Sequence, residues 1–179
     1  ATRVKMLWDD EFLYVAAVME LVEGQELTAR FTKRNSPIFH TDVDFEVFVD
    51  PPGCCHGYKE LEMNAVNTVW NLMLDRPYMD GGGEFSAREH EEGHPKHWEV
   101  RAQKTATRVL RGALHDASRP STWSCEVALA HSDTLQRIPA PAKAPAVGGS
   151  WRINFSRVED KGATNWVWSP QVVWEPAKR

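Results

Sequence analysis

Apolar and polar residues alternate with a period of two along most of this chain. In "VDFEVFVD", Val43, Phe45, Val47 and Val49 fall on one face and Asp44, Glu46 and Phe48 on the other, because successive side chains of a strand point to opposite sides. The "PPG" that follows stops the strand. "YKELEMNAV" repeats the pattern, with Leu61, Met63 and Ala65 facing one way and Glu60, Glu62 and Asn64 the other. "RVKMLW" and "EFLYVAAVME" predict a hairpin around "DDE", and "HWEVRA", "KTATRVLRG", "TWSCEVALA", "SWRINFSRVE" and "NWVWS" continue the series. Only "HSDTLQRI" could hold a turn of helix.

About nine short strands separated by turn signals predict an all-β fold, an antiparallel β-sandwich of jelly-roll or immunoglobulin-like type. "DGGGEFSAREHEEGHPKH" and "RIPAPAKAPAVGGS" carry no period and read as surface loops, the second stiffened toward polyproline II. Neither is long enough to split the chain, so residues 1–179 read as one domain. It opens inside a strand pattern and stops on the charged stub "EPAKR", as an excised domain trimmed at both ends would.

Charge and length narrow the partners. A formal net charge of −4 leaves no basic surplus for phosphates, so nucleic acid is not an expected partner. No apolar run approaches the roughly 20 residues of a membrane span, and no membrane partner is expected. Cys54 and Cys55 are adjacent in a turn and Cys125 lies in a strand pattern, which leaves a Cys125 bridge to one of the pair open but does not match a zinc site.

Against the alternation, "NAVNTVWNLML" places Asn64, Asn67, Trp70 and Asn71 where aliphatic residues would be expected. Glu60, Glu62 and Asn64 form a row with Cα spacings of roughly 6.6 Å, and Arg152, Asn154 and Ser156 form another while Trp151, Ile153 and Phe155 point inward. Carboxylates, amides and a guanidinium are the donor and acceptor set that vicinal sugar hydroxyls require; the same rows would also suit the solvated face of a sheet. Eight tryptophans add flat apolar platforms suited to pyranose rings, and Trp166 and Trp168 must share a face.

Asp42, Asp44, Glu46 and Asp50 could supply oxygens to a structural Ca²⁺, though without the spacing of an EF-hand. Glu60 and Glu62 have the separation of a glycosidase pair, yet neighbours on one strand lie on one side of a bound sugar rather than flanking the bond. His90, His94 and His97, interleaved with Glu91 and Glu92, could bind a transition metal only if their loop folded back; a solvated loop suits them better.

"RVKMLWDDEFLYVAAVME", "FHTDVDFEVFVDPPG", "YKELEMNAVNTVWNLMLDRPYMDGG" and "WRINFSRVE" followed by "NWVWSPQ" resemble, in that order and over nearly the whole chain, the family-9-like carbohydrate-binding modules, a sandwich family related to DOMON-type domains. The resemblance implies a non-catalytic sugar-binding module, extracellular or secreted, with structural calcium in some members. It also implies a covalently linked or co-encoded glycoside hydrolase as partner in polysaccharide degradation. It assigns the polar binding row to Glu62, Asn64 and Asn67, and places an aromatic position at Phe39 and His40, where better-known members carry tryptophan. Trp174 is the candidate for a second aromatic. With Trp70, Arg152, Asn154 and Trp168 these complete the expected carbohydrate site. The alternatives are a glycan-active sandwich enzyme using Glu60 or Glu62, and a DOMON-like haem or protein-interaction domain with Met63, Met73 and His97 as ligands.

Overall fold

The computed structural model describes residues 1–139 and 141–170. Ten strands occur in the order β1 (Thr2–Trp8), β2 (Phe12–Glu20), β3 (Asp44–Asp50), β4 (Tyr58–Asn64), β5 (Val69–Leu74), β6 (Glu84–Phe85), β7 (Lys104–Arg111), β8 (Thr122–Ala130), β9 (Arg152–Glu159) and β10 (Thr164–Val167). A smaller sheet has the order β1-β2-β8-β7 and a larger one the order β10-β9-β3-β4-β5-β6, all neighbours antiparallel. Their inner faces bury Val15, Ala17, Met19, Trp123 and Val127 from the smaller sheet against Phe45, Val47, Leu61, Met63 and Phe155 from the larger. This is the expected antiparallel sandwich.

Local chemistry explains the turns. Between β1 and β2, the Asp9 carboxylate accepts the Glu11 and Phe12 amides and the Tyr14 hydroxyl, and these bonds hold its pKa below the ordinary carboxylate value. Between β4 and β5, Asn64 Oδ1 accepts the amides of Val66 and Thr68, and Asn67 adopts a left-handed φ of 64°. The chain therefore reverses inside "NAVNTVW", and Trp70 returns beside Glu62 on the same face.

One expectation is corrected. "HWEVRA" is not a strand: Trp98 and Val100 are buried, but the amides of Arg101 and Ala102 are satisfied by the Asp133 carboxylate at 3.0 and 2.8 Å rather than by a neighbouring strand. Asp133 sits in the single helical turn α1 (His131–Thr134), within the segment expected to hold one. The cysteines are free, with Cys125 in the core and Cys54 and Cys55 exposed, so no bridge joins them.

The central strands β3, β4 and β5 of the larger sheet are mostly buried on both faces. Residues 28–42, which carry no strand period, cross its outer face, where Ile38, Phe31 and Phe39 pack on Trp70, Leu72 and Leu74. The cover is pinned at its end, since Gly162 lies so close to the His40 ring that any side chain there would collide with it.

Candidate functional site

The expected carbohydrate residues do not form one site. Glu62, Asn64 and Trp70 share the outer face of the larger sheet, as alternation requires, but all three are buried, Asn64 and Trp70 against the cover. Asn64 is corrected most sharply. Its Nδ2 donates to the Phe31 carbonyl at 2.9 Å and to Asp42 at 2.8 Å, while its Oδ1 accepts two amides, which leaves nothing to offer a sugar. It docks the cover. Asn67 lies at the hairpin tip, 3.4 Å from the Thr105 carbonyl, and His40 is held in edge contact with Phe39. Arg152 projects at the start of β9 toward Cys55, away from the row. Asn71, the remaining amide of the puzzling stretch, turns inward and exchanges two hydrogen bonds with Gln103.

Trp168 and Asn154 belong to a different place. Where the edge strands β1 and β10 diverge, a cleft of about 570 Å³ opens between the sheets. Thr2, Val4 and Met6 line one wall; Phe155, Trp166 and Trp168 line the other. Trp168 is 66% exposed and Trp166 51%. Both indoles are nevertheless fixed. Trp168 packs on Phe155 with ring centres 5.5 Å apart, and Asn154 clamps the next residue, taking the Ser169 amide at 3.0 Å and donating to its carbonyl at 3.1 Å. Trp166 Nε1 donates to Glu159 at 3.0 Å. Arg157 pairs with Glu159 and reaches Thr2 Oγ1 at 2.8 Å and the Glu20 carbonyl at 2.9 Å, tying β1 to the larger sheet across the cleft floor. Burial pulls its pKa down to about 10. Trp166, Arg157 and Glu20 were not singled out from the sequence as site residues, although the shared face of Trp166 and Trp168 was the available signal. Trp174 lies outside the described residues.

The acidic residues regroup as well. Asp42 accepts the amides of Arg30 and Phe31 besides Asn64, and Asp50 accepts those of Gly53 and Cys55, so both carboxylates organise backbone. Asp44 and Glu46 instead meet Glu62, their carboxylate oxygens lying within 4.8 Å of one another. Burial raises Asp44 and Glu62 well above the ordinary carboxylate value, helped by the Glu46 charge beside Asp44 and the Asp44 charge beside Glu62, and burial pushes Glu46 up to about 7 and Glu60 to about 8. Glu60 and Glu62 are neighbours on one face of β4, with Glu62 buried, so they do not stand on opposite sides of a bond. Met63 and Met73 are packed in the main core, and His97 Nδ1 contacts the His90 carbonyl in an outer loop, an arrangement with no common haem face.

No family model matches the chain. No curated protein matches its sequence. Among solved structures, it is similar to a candidate carbohydrate-binding protein from Bacteroides uniformis ATCC 8492, with a TM-score of 0.64 and 16% identity over 98% of this chain and 72% of that one. It is also similar to a family-9 carbohydrate-binding module from Caldicellulosiruptor kristjanssonii in complex with cellotriose, with a TM-score of 0.52 and 17% identity over 93% of this chain and 62% of that one. At these identities the likeness is one of architecture: the chain has the β-sandwich fold of a family-9-like carbohydrate-binding module.

Proposed function

We propose that this chain binds carbohydrate without transforming it, and that the cleft between β1 and β10 is the seat. The observation that carries this reading is the pair of half-exposed indoles, Trp166 on β10 and Trp168 just past its end, which line a cleft of about 570 Å³. Exposed indoles offer flat apolar surface to the C–H faces of a sugar, and their immobilisation lowers the entropy lost on binding. Glu20, Ser156 and Thr2 supply polar groups at the rim and floor. The fold neighbour that holds cellotriose supports a β-glucan oligosaccharide as the ligand class. Such a module would serve outside the cell, linked to or encoded beside a glycoside hydrolase, by holding it on its polysaccharide.

Calorimetric titration with cellobiose, cellotriose and xylobiose tests the reading. Saturable heat is expected with at least one of them, and Trp168→Ala should weaken binding about tenfold or more with little change in Tm, because the ring is two-thirds in solvent. Absence of heat with every sugar, or binding indifferent to Trp168→Ala and Trp166→Ala, would sink it.

A further inference from the structure

The cleft between β1 and β10 carries more apolar surface than a sugar can use. One wall holds a run of three aromatic rings. Trp168, two-thirds in solvent, packs on Phe155 with ring centres 5.5 Å apart, and Phe155 stacks on Phe45 at 5.9 Å with the planes 15° apart. Phe155 and Phe45 are 4% and 1% exposed and belong to the main core, so the run leads from open water at the rim to the interior. Val4 and Met6 of β1 face it across the cleft. A pyranose pressed between these walls would set its hydroxyls against hydrocarbon, with their bonds to water broken and not replaced. The indoles at the rim suit a sugar, whereas the interior suits a flat apolar group.

The floor adds one polar requirement. Arg157 is paired in register with Phe45 on β3 and with Trp166 on β10, and it lines the cleft while itself buried. Its terminal nitrogens are taken by Glu159, by Thr2 and by the carbonyls of Ala1 and Glu20, yet its Nε is buried with no partner. An empty N–H on an otherwise saturated guanidinium is a place for an acceptor oxygen. That oxygen belongs at the far end of the flat group, because Phe155 and Arg157 lie two residues apart on β9, about 6.6 Å along the strand.

We infer that the interior of this cleft receives an aryl group, attached to the sugar held at the rim and carrying an oxygen acceptor at its far end. The ligand is then an aryl-substituted glycan, an aryl glycoside or an aromatic ester, rather than a bare one. The ring lies between the stacked pair Phe45 and Phe155 and the side chain of Met6, whose thioether is a favourable neighbour for an aromatic edge. Its oxygen takes the Arg157 Nε hydrogen once the guanidinium turns toward the cleft, a charge-assisted bond in a water-poor setting. The sugar end of this ligand rests on the function proposed above, and the aryl end does not.

The test titrates the full chain calorimetrically with cellobiose, with its 4-acetylphenyl, 4-isopropylphenyl and octyl β-glycosides, and with 4-methoxyacetophenone, which has the ring and carbonyl but no sugar. The 4-acetylphenyl glycoside should bind about tenfold or more tighter than cellobiose through burial of its ring. It should exceed the 4-isopropylphenyl glycoside, which has its shape without the oxygen, by about fivefold. Val4→Phe fills the interior from β1 and should bring the ratio of 4-acetylphenyl glycoside to cellobiose affinity down to about one. The ligand series itself needs no variant, so it decides even if that substitution folds poorly. If cellobiose binds and the aryl glycosides are no tighter, the inference falls and sugar binding stands. It falls as well if the octyl glycoside matches the aryl ones, if acetyl and isopropyl bind alike, or if a folded Val4→Phe keeps the full ratio. If 4-methoxyacetophenone binds as tightly as the 4-acetylphenyl glycoside, sugar binding falls and the aryl pocket stands. Silence from every compound overturns both.

Discussion

The two sheets receive the same alternating pattern and treat it differently. On the outer face of the smaller sheet, Arg3, Lys5, Lys104, Arg108 and Glu126 stand in water with both signs interspersed. On the outer face of the larger sheet, Asp44, Glu46, Glu62 and Asn64 are buried, and the ionisable groups among them are all acids whose pKa burial raises. Alternation therefore tells which residues share a face, not whether that face is wet. A wet row of charges costs little to keep, whereas a buried row of acids is held by taking up protons or by pairing with positive charge.

The contrast can be broken most severely at Asn64. Asn64→Ala removes both donor contacts to the cover and both acceptor contacts within the turn, and takes from the buried Asp42 carboxylate one of its three hydrogen bonds. A loss of about 3 kcal/mol or more is expected by urea unfolding, with no selective effect on sugar affinity in whatever remains folded. A smaller effect comes from Lys59, a charge on the inner face of the larger sheet, fully buried and donating to the carbonyls of Gly57 and Gln136. Burial lowers its pKa from 10.5 to about 8, against an opposing pull from Asp50. Between those values the unfolded chain binds the proton and the folded chain releases it, so stability should rise with pH across that window. Urea unfolding from about pH 7 to about pH 11 should show this slope in the parent and lose it in Lys59→Met. The smallest effect belongs to the wet face, where Glu126→Ala should shift stability by no more than about 0.5 kcal/mol.

What could be read from the residues follows the same division. The strands, their partition of side chains and the sandwich were legible because each depends on a local period. The cover was not, since residues 28–42 have no repeat and owe their position to contacts with Trp70, Leu72 and Asn64 from elsewhere in the chain. "HWEVRA" has the apolar spacing of a strand because Trp98 and Val100 reach the core, but periodicity does not reveal that Asp133 captures its amides. The site divided for a similar reason. Trp168 could be chosen from its neighbourhood of indoles, yet its cleft is completed by β1, from the other end of the chain. The buried acids could be grouped along β3, but Glu62 joins them only through the pairing of β3 with β4.

The placement of the cysteines has a practical consequence. Cys125 is sealed between the sheets with its thiol pushed up to about 12 by burial, while Cys54 and Cys55 face solvent. A thiol-specific reagent should therefore consume two equivalents in the native protein and a third only when the sandwich opens. The rate at which Cys125 is labelled becomes a clock for separation of the sheets, read without any substitution in the chain and insensitive to movement of the cover alone.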